Sequence, residues 1–136
     1  MNTNPLAAAT VETLTGYAQT VRVGRHTLTA DEPLAQGGTD TGPTPDELLL
    51  AALGACTSIT LSMYAQRKAW ELGRVHVELK LVKAGDAVRI ERDVSFDAPL
   101  TPEQRARLLD ICEKTPVTKL IKGGTAIATR LGAAGE

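Results

Sequence analysis

Residues Thr44 to Leu72 constrain the fold of this chain more than any other stretch. Thr44-Pro45-Asp46-Glu47 opens a helix: Thr44 can cap it, Pro45 suits the first turn, and Glu47 completes a capping box three residues on. The helical pattern then runs to about Leu72, with Gly73 as the stop. From Leu48 to Ala55 it is apolar all round, which implies a helix covered on every face rather than one lying on a surface. Beyond Ser62 it becomes amphipathic and ends in Gln66, Arg67 and Lys68. Gly54 is the weak point, and a break or kink is expected there.

The flanking segments read as strands and a second helix. Thr10 to Ala30 is rich in Thr and Val and reads as two strands with Gly24-Arg25 as the turn. Alternation sets Val21, Val23 and Arg25 on one face, with Arg22 and His26 on the other. Asp31 to Gly42 holds four glycines or prolines in twelve positions, a loop long enough to suspect function. Val75, Val77, Leu79 and Leu81 alternate, Ala84-Gly85-Asp86 turns the chain, and Val88, Ile90, Val94 and Phe96 continue beyond it. That is a hairpin with one buried face. Thr101-Pro102-Glu103-Gln104 repeats the cap pattern and starts a second helix, whose apolar stripe holds Leu108, Leu109, Ile111 and Cys112. Pro116 ends or kinks it, Gly123-Gly124 turns the chain, and Thr125 to Leu131 reads as a last strand. The order is β-β-α-β-β-α-β, an α+β domain with antiparallel strands packed on a buried helix.

The length of 136 residues predicts one domain over 1–136, with residues 1–10 as a flexible tail. One small sheet covers only one side of a helix that is apolar all round. A second subunit is therefore expected to cover the remainder, in a homodimer with an intertwined interface. The net charge is -1, from 15 basic and 16 acidic residues spread along the chain, so no basic stripe offers a nucleic-acid surface. One Trp, two Tyr and one Phe make no stacking platform for single strands either. The apolar run Leu48 to Ala55 falls far short of a membrane span, and Met1 to Thr10 lacks the pattern of a signal peptide. No nucleic-acid or membrane partner and a cytoplasmic location are the expectations.

The chemistry, if there is any, belongs to a thiol. His26 and His76 are the only histidines, and neither stands at ligand spacing from Cys56 or Cys112, so no metal centre is expected. Cys56 lies in the apolar helix, where burial alone would raise its pKa, so a reactive thiolate needs help. A helix break at Gly54 would put Cys56 in a first turn, facing backbone N–H groups. An arginine brought in from a strand would act more strongly. Arg22 and Arg25 are the candidates, with Arg25 preferred because it sits at a turn. Asp46 or Glu47 could orient that guanidinium through a bidentate pair. The same residues also fit inert roles: cysteines that fill space, solvated arginines, and first-turn acids that complement the helix dipole.

The segment GPTPDELLLAALGACTSITLSMYAQRKAWEL, residues 42 to 72, resembles the central helix of the OsmC/Ohr family. ADEPLAQGG at 30 to 38 and LTPEQRARLLDICEKTPV at 100 to 117 are similar to family segments in the same order. The resemblance covers the chain from about Tyr17 onward. It implies an OsmC-like fold, with antiparallel sheets wrapped around buried central helices in an intertwined homodimer whose two active sites draw on both chains. It also implies thiol-dependent reduction of organic hydroperoxides, part of oxidative-stress defence. Cys56 would become a sulfenic acid, a second cysteine would condense with it, and an external dithiol, typically lipoyl, would restore the pair without a bound cofactor. Apolar walls would favour alkyl hydroperoxides over hydrogen peroxide.

Two departures stand out. Many relatives carry the second cysteine as Cys-Pro-Val, where this chain has Thr115-Pro116-Val117 and its other cysteine, Cys112, lies about one helical turn earlier, so either Cys112 or an external thiol would resolve Cys56. Typical peroxidases of the family carry Glu directly after the helix-opening proline, where this chain has Asp46, with Glu47 one place on and about 100° around the helix. A non-catalytic dimer binding a small apolar ligand, and a redox sensor oxidised at Cys56 without efficient turnover, are the alternatives those departures keep open.

Overall fold

Strand β1 (Thr10–Thr15), β2 (Ala18–Val23) and β3 (His26–Ala30) follow one another through turns too short to do anything but reverse the chain. The computed structural model describes residues 4–132 and resolves into two compact units, Met1–Ala51 and Ala52–Glu136. In the first unit the three strands form an antiparallel sheet in the order β1-β2-β3, with an irregularity between Thr13 and Thr15. Gly24-Arg25 is the β2–β3 turn, as expected. The stretch holds three strands rather than two because Gly16, at φ 57°, makes an additional turn with Tyr17. Residues 4–9 are exposed and belong to no element, and residues 1–3 of the expected tail lie outside the described residues.

The 31–43 segment is a loop with an organising centre. Buried Asp31 accepts hydrogen bonds from the N–H groups of Glu32, Thr39 and Thr41 and from both threonine hydroxyls, at 2.6–3.3 Å. A short 3-10 turn, Leu34–Gln36, lies inside it. Gly38 and Gly42 are glycines for a spatial reason. A Cβ on Gly38 would lie 2.0 Å from the Glu32 carbonyl oxygen, and one on Gly42 would lie 2.1 Å from that of Thr29.

Helix α1 runs Pro45–Lys68. Its capping box is in place: the Thr44 hydroxyl accepts the Glu47 N–H at 3.1 Å, and the Glu47 carboxylate accepts the Thr44 N–H at 2.9 Å. The helix departs from the sequence expectation at two points. The helix passes through Gly54 unbroken, and the glycine serves instead as a close-approach point, since a Cβ there would lie 2.8 Å from Leu79 Cδ1. The helix also ends at Lys68, not Leu72. Ala69 takes a left-handed conformation (φ 56°), and the N–H groups of Ala69 and Trp70 turn back to the Gln66 and Ala65 carbonyls. That is a Schellman ending, and it lets Trp70 stack edge-on against Tyr64 at 5.6 Å.

Within the chain α1 buries only one stripe, Leu53, Gly54, Thr57, Leu61 and Ala65, while Leu49, Ile59 and Met63 are exposed. The short apolar run understates the helix as a whole. An 18-residue stretch reaches a mean hydropathy of 1.7, long and apolar enough by length and composition to cross a membrane, a composition that equally suits a helix covered by protein.

In the second unit, β4 (Val75–Ala84) and β5 (Ala87–Phe96) form the expected hairpin, paired from Val75–Phe96 to Ala84–Ala87. The single helix expected after Pro99 is two, α2 (Pro102–Cys112) and α3 (Pro116–Lys122), each with its own threonine cap, Thr101 and Thr115. Pro116 thus starts a helix rather than ending one, because the first helical position needs no N–H. Leu61, Ala65, Leu72, Leu108 and Cys112 form the core of this unit, with Val94, Phe96 and Ile111 packed against it. Leu109, expected on the buried stripe, is exposed. The strand expected over Thr125–Leu131 is absent: these residues are exposed and make no ladder, since a strand needs a neighbour and none of the described strands pairs with them.

Candidate active site

Cys56 lies in the middle of α1, half-buried. Its sulfur accepts a hydrogen bond from the Val117 backbone N–H at 3.5 Å, and the Thr60 hydroxyl, one turn on, lies 4.0 Å away. The amide comes from a distant segment for a local reason. Thr115 caps α3 by accepting the Thr118 N–H at 3.3 Å, and Pro116 has no N–H to offer. Val117 therefore carries the first free donor of α3, and that donor finds sulfur. The amide support expected from a kink at Gly54 is supplied by another element.

Arg92 on β5 organises the surroundings. It pairs with Leu79 across the hairpin and shares the face of Ile90, Val94 and Phe96, so the strand aims a cation inward. Its side chain is 12% exposed. Nη1 donates to the hydroxyls of Thr57 at 2.9 Å and Thr118 at 3.0 Å. Nη2 donates to the Cys112 carbonyl at 3.0 Å and to the Glu113 carboxylate at 3.3 Å. The Thr57 hydroxyl donates its own hydrogen bond to the Leu53 carbonyl at 2.7 Å, so its oxygen is free to accept. A nearly buried guanidinium without such partners would be strongly destabilising. Glu113 also meets Lys122, which, with a smaller contribution from Arg92, holds its carboxyl below the usual range. Neither Arg92 nor Val117 was expected from the sequence. Arg92 had a readable signal, a charge in register with four apolar residues of one strand face; the amide of Val117 had none.

Cys112 is buried in the core beside Leu61, Ala65, Leu72 and Leu108, and both cysteines are free thiols. Burial pushes the Cys112 thiol up, offset in part by the Arg92 charge. A cleft of about 410 Å³ between β5 and α2 is bordered by Arg92, Phe96, Leu108, Cys112 and Glu113, and Cys56 is not part of its lining. The remaining expected residues belong to the other unit. Arg25 stands exposed on the β2–β3 turn, and it makes no ion pair among the described residues; the ion pair of Arg22 is with Glu12, at 2.7 Å. Asp46 and Glu47 are exposed in the first turn of α1, where Glu47 is engaged in the capping box.

The model of the OsmC-like protein family matches residues 38–130. The chain belongs to that family. The OsmC-like fold is shared with solved structures at low identity. An OsmC-like protein from Mycoplasma pneumoniae superposes with a TM-score of 0.76 at 17% identity, over 89% of this chain and 90% of that one. A protein from Psychrobacter arcticus, named for osmotic stress induction and a detoxification response, gives 0.76 at 16%, over 88% and 90%. The organic hydroperoxide resistance protein OhrB of Bacillus subtilis gives 0.61 at 23%, over 86% and 90%. No curated protein matches the chain. Against the family pattern, the residue before the proline of α3 is Thr115, fully buried and committed to capping, with its hydroxyl 2.6 Å from that of Thr118.

Proposed function

We propose that this OsmC-like protein is a thiol-dependent peroxidase that reduces organic hydroperoxides to alcohols, working as a homodimer in oxidative-stress defence. The observation that carries the reading is the Val117 N–H on the Cys56 sulfur, a backbone donor aimed at the atom that would act as nucleophile. The thiolate attacks the terminal peroxide oxygen, the O–O bond breaks, and the departing alkoxide takes a proton to leave as the alcohol. Cys56 is left as a sulfenic acid. A thiol then condenses with it, releasing water and forming a disulfide, and a dithiol of the lipoyl type reduces that disulfide. Arg25 is the candidate cation for the thiolate, and Asp46 or Glu47 the candidate carboxylate that orients it. The exposed apolar residues Ile59 and Met63 of α1 are the surface that a second copy would cover.

A second reading has its own observation. Cys112 is packed in the core, and Thr115 fills the place of the family's second cysteine, so oxidation at Cys56 without efficient turnover would make the protein a sensor. Turnover of cumene hydroperoxide and of hydrogen peroxide with dihydrolipoamide separates the two. The peroxidase reading expects turnover that prefers the organic substrate and disappears in Cys56→Ser. Absence of turnover with any dithiol, alongside oxidation of Cys56, would establish the sensor instead. Activity that survives in Cys112→Ser would show that an external thiol resolves the sulfenic acid.

A further inference from the structure

We propose that Arg92 is a positioning residue for Cys56, holding the start of α3 so that the Val117 amide stays on the sulfur. The inference rests on Cys56 being the reactive thiol. Three elements meet at this one guanidinium: α1 through Thr57, the end of α2 through the Cys112 carbonyl and Glu113, and α3 through Thr118. Thr57 is the residue after Cys56, and Thr118 is the residue after Val117. Arg92 therefore clamps the immediate neighbours of both the acceptor and the donor of the sulfur hydrogen bond. Both hydroxyls bind the same nitrogen, Nη1, which fixes the distance between the two backbones more tightly than two separate contacts would. The Thr118 hydroxyl also bonds the Cys112 carbonyl and lies 2.6 Å from Thr115 Oγ1, so the cap of α3 belongs to the same network.

An ordinary structural arginine on a strand face would show in stability alone. A positioning residue must also show in the ionisation of Cys56. The rate of iodoacetamide alkylation at Cys56, followed by mass spectrometry of its peptide from pH 5 to 10, reads this directly and needs no peroxidase activity. Arg92→Met removes all the donors at similar volume. Its profile is expected to move to higher pH, with alkylation at pH 7 slowed about three- to tenfold, the scale of one ordinary hydrogen bond. Arg92→Lys, which restores the charge and some of the contacts, should lie between. A folded Arg92→Met protein with the wild-type profile would overturn the proposal. Should that variant fail to fold, Thr57→Val and Thr118→Val each remove one acceptor at nearly constant volume, and both must shift the profile in the same direction. Unmoved profiles in both would overturn it equally. A wild-type protein that reacts with iodoacetamide but never turns over hydroperoxide would remove the peroxidase reading and leave the role of Arg92 standing.

Discussion

Cys56 and Cys112 are chemically different for reasons that lie outside the residues themselves. One is half-buried with a backbone N–H on its sulfur; the other is buried in the core beside leucines, at the wall of the β5–α2 cleft, with its thiol pushed up by burial. Native protein treated with iodoacetamide at pH 8 is expected to label Cys56 readily and Cys112 only after unfolding. Equal labelling of the two, measured peptide by peptide, would contradict this. Cys56 was legible because the helix around it is an unusual string. Arg92 was present in the alternation of β5 but hidden by the apolar residues around it. Val117 was not legible at all, because what it contributes is a backbone group, and only the tertiary path of α3 brings that group to the sulfur.

Elements whose ends are set by neighbouring residues were read well from the sequence, and those set by distant contacts were not. The capping boxes of α1 and α2 and the Gly85-Asp86 turn of the β4–β5 hairpin are local grammar, and all formed. Gly54 looked like a break, but it answers to Leu79 on β4, which no local pattern reveals. The end of α1 is set by Trp70 turning in toward Tyr64, with Ala69 paying for it in a conformation that suits glycine. Ala69→Gly is therefore expected to raise the unfolding free energy by about 0.5–1 kcal/mol in denaturant titration. The 31–43 loop has its own titrating element. Hydroxyl hydrogen bonds, first from Thr41 and then from Thr39, hold Asp31 well below the usual carboxylate range. A depressed folded pKa stabilises above the unfolded-chain value of about 4 and loses that contribution as the pH falls through the folded value. Asp31→Asn should lower the Tm by a constant amount above about pH 5, and the gap should narrow only in more acid solution. A gap that widens on acidification would contradict the assignment.

For the molecule as a whole, the α+β character and the OsmC-like fold followed from the order of elements and from the family strings, whereas the third N-terminal strand and the missing C-terminal strand did not. Ile127 and Leu131 alternate as a strand would, yet among the described residues no strand lies beside them. A helix that is apolar all round but buried along only one stripe calls for a second surface. Sedimentation equilibrium is expected to give about twice the 14.4 kDa chain mass, and Ile59→Glu with Met63→Glu to weaken that association. A stable wild-type monomer would refute the dimer. The step proposed for Cys56 is reduction of an organic hydroperoxide by its thiolate. Mixing reduced protein with one equivalent of cumene hydroperoxide in the presence of dimedone tests it in a single turnover. Loss of one Cys56 thiol per hydroperoxide consumed, with the sulfenic acid trapped as an adduct on Cys56, is the expected result; intact hydroperoxide beside a fully alkylatable Cys56 would contradict it.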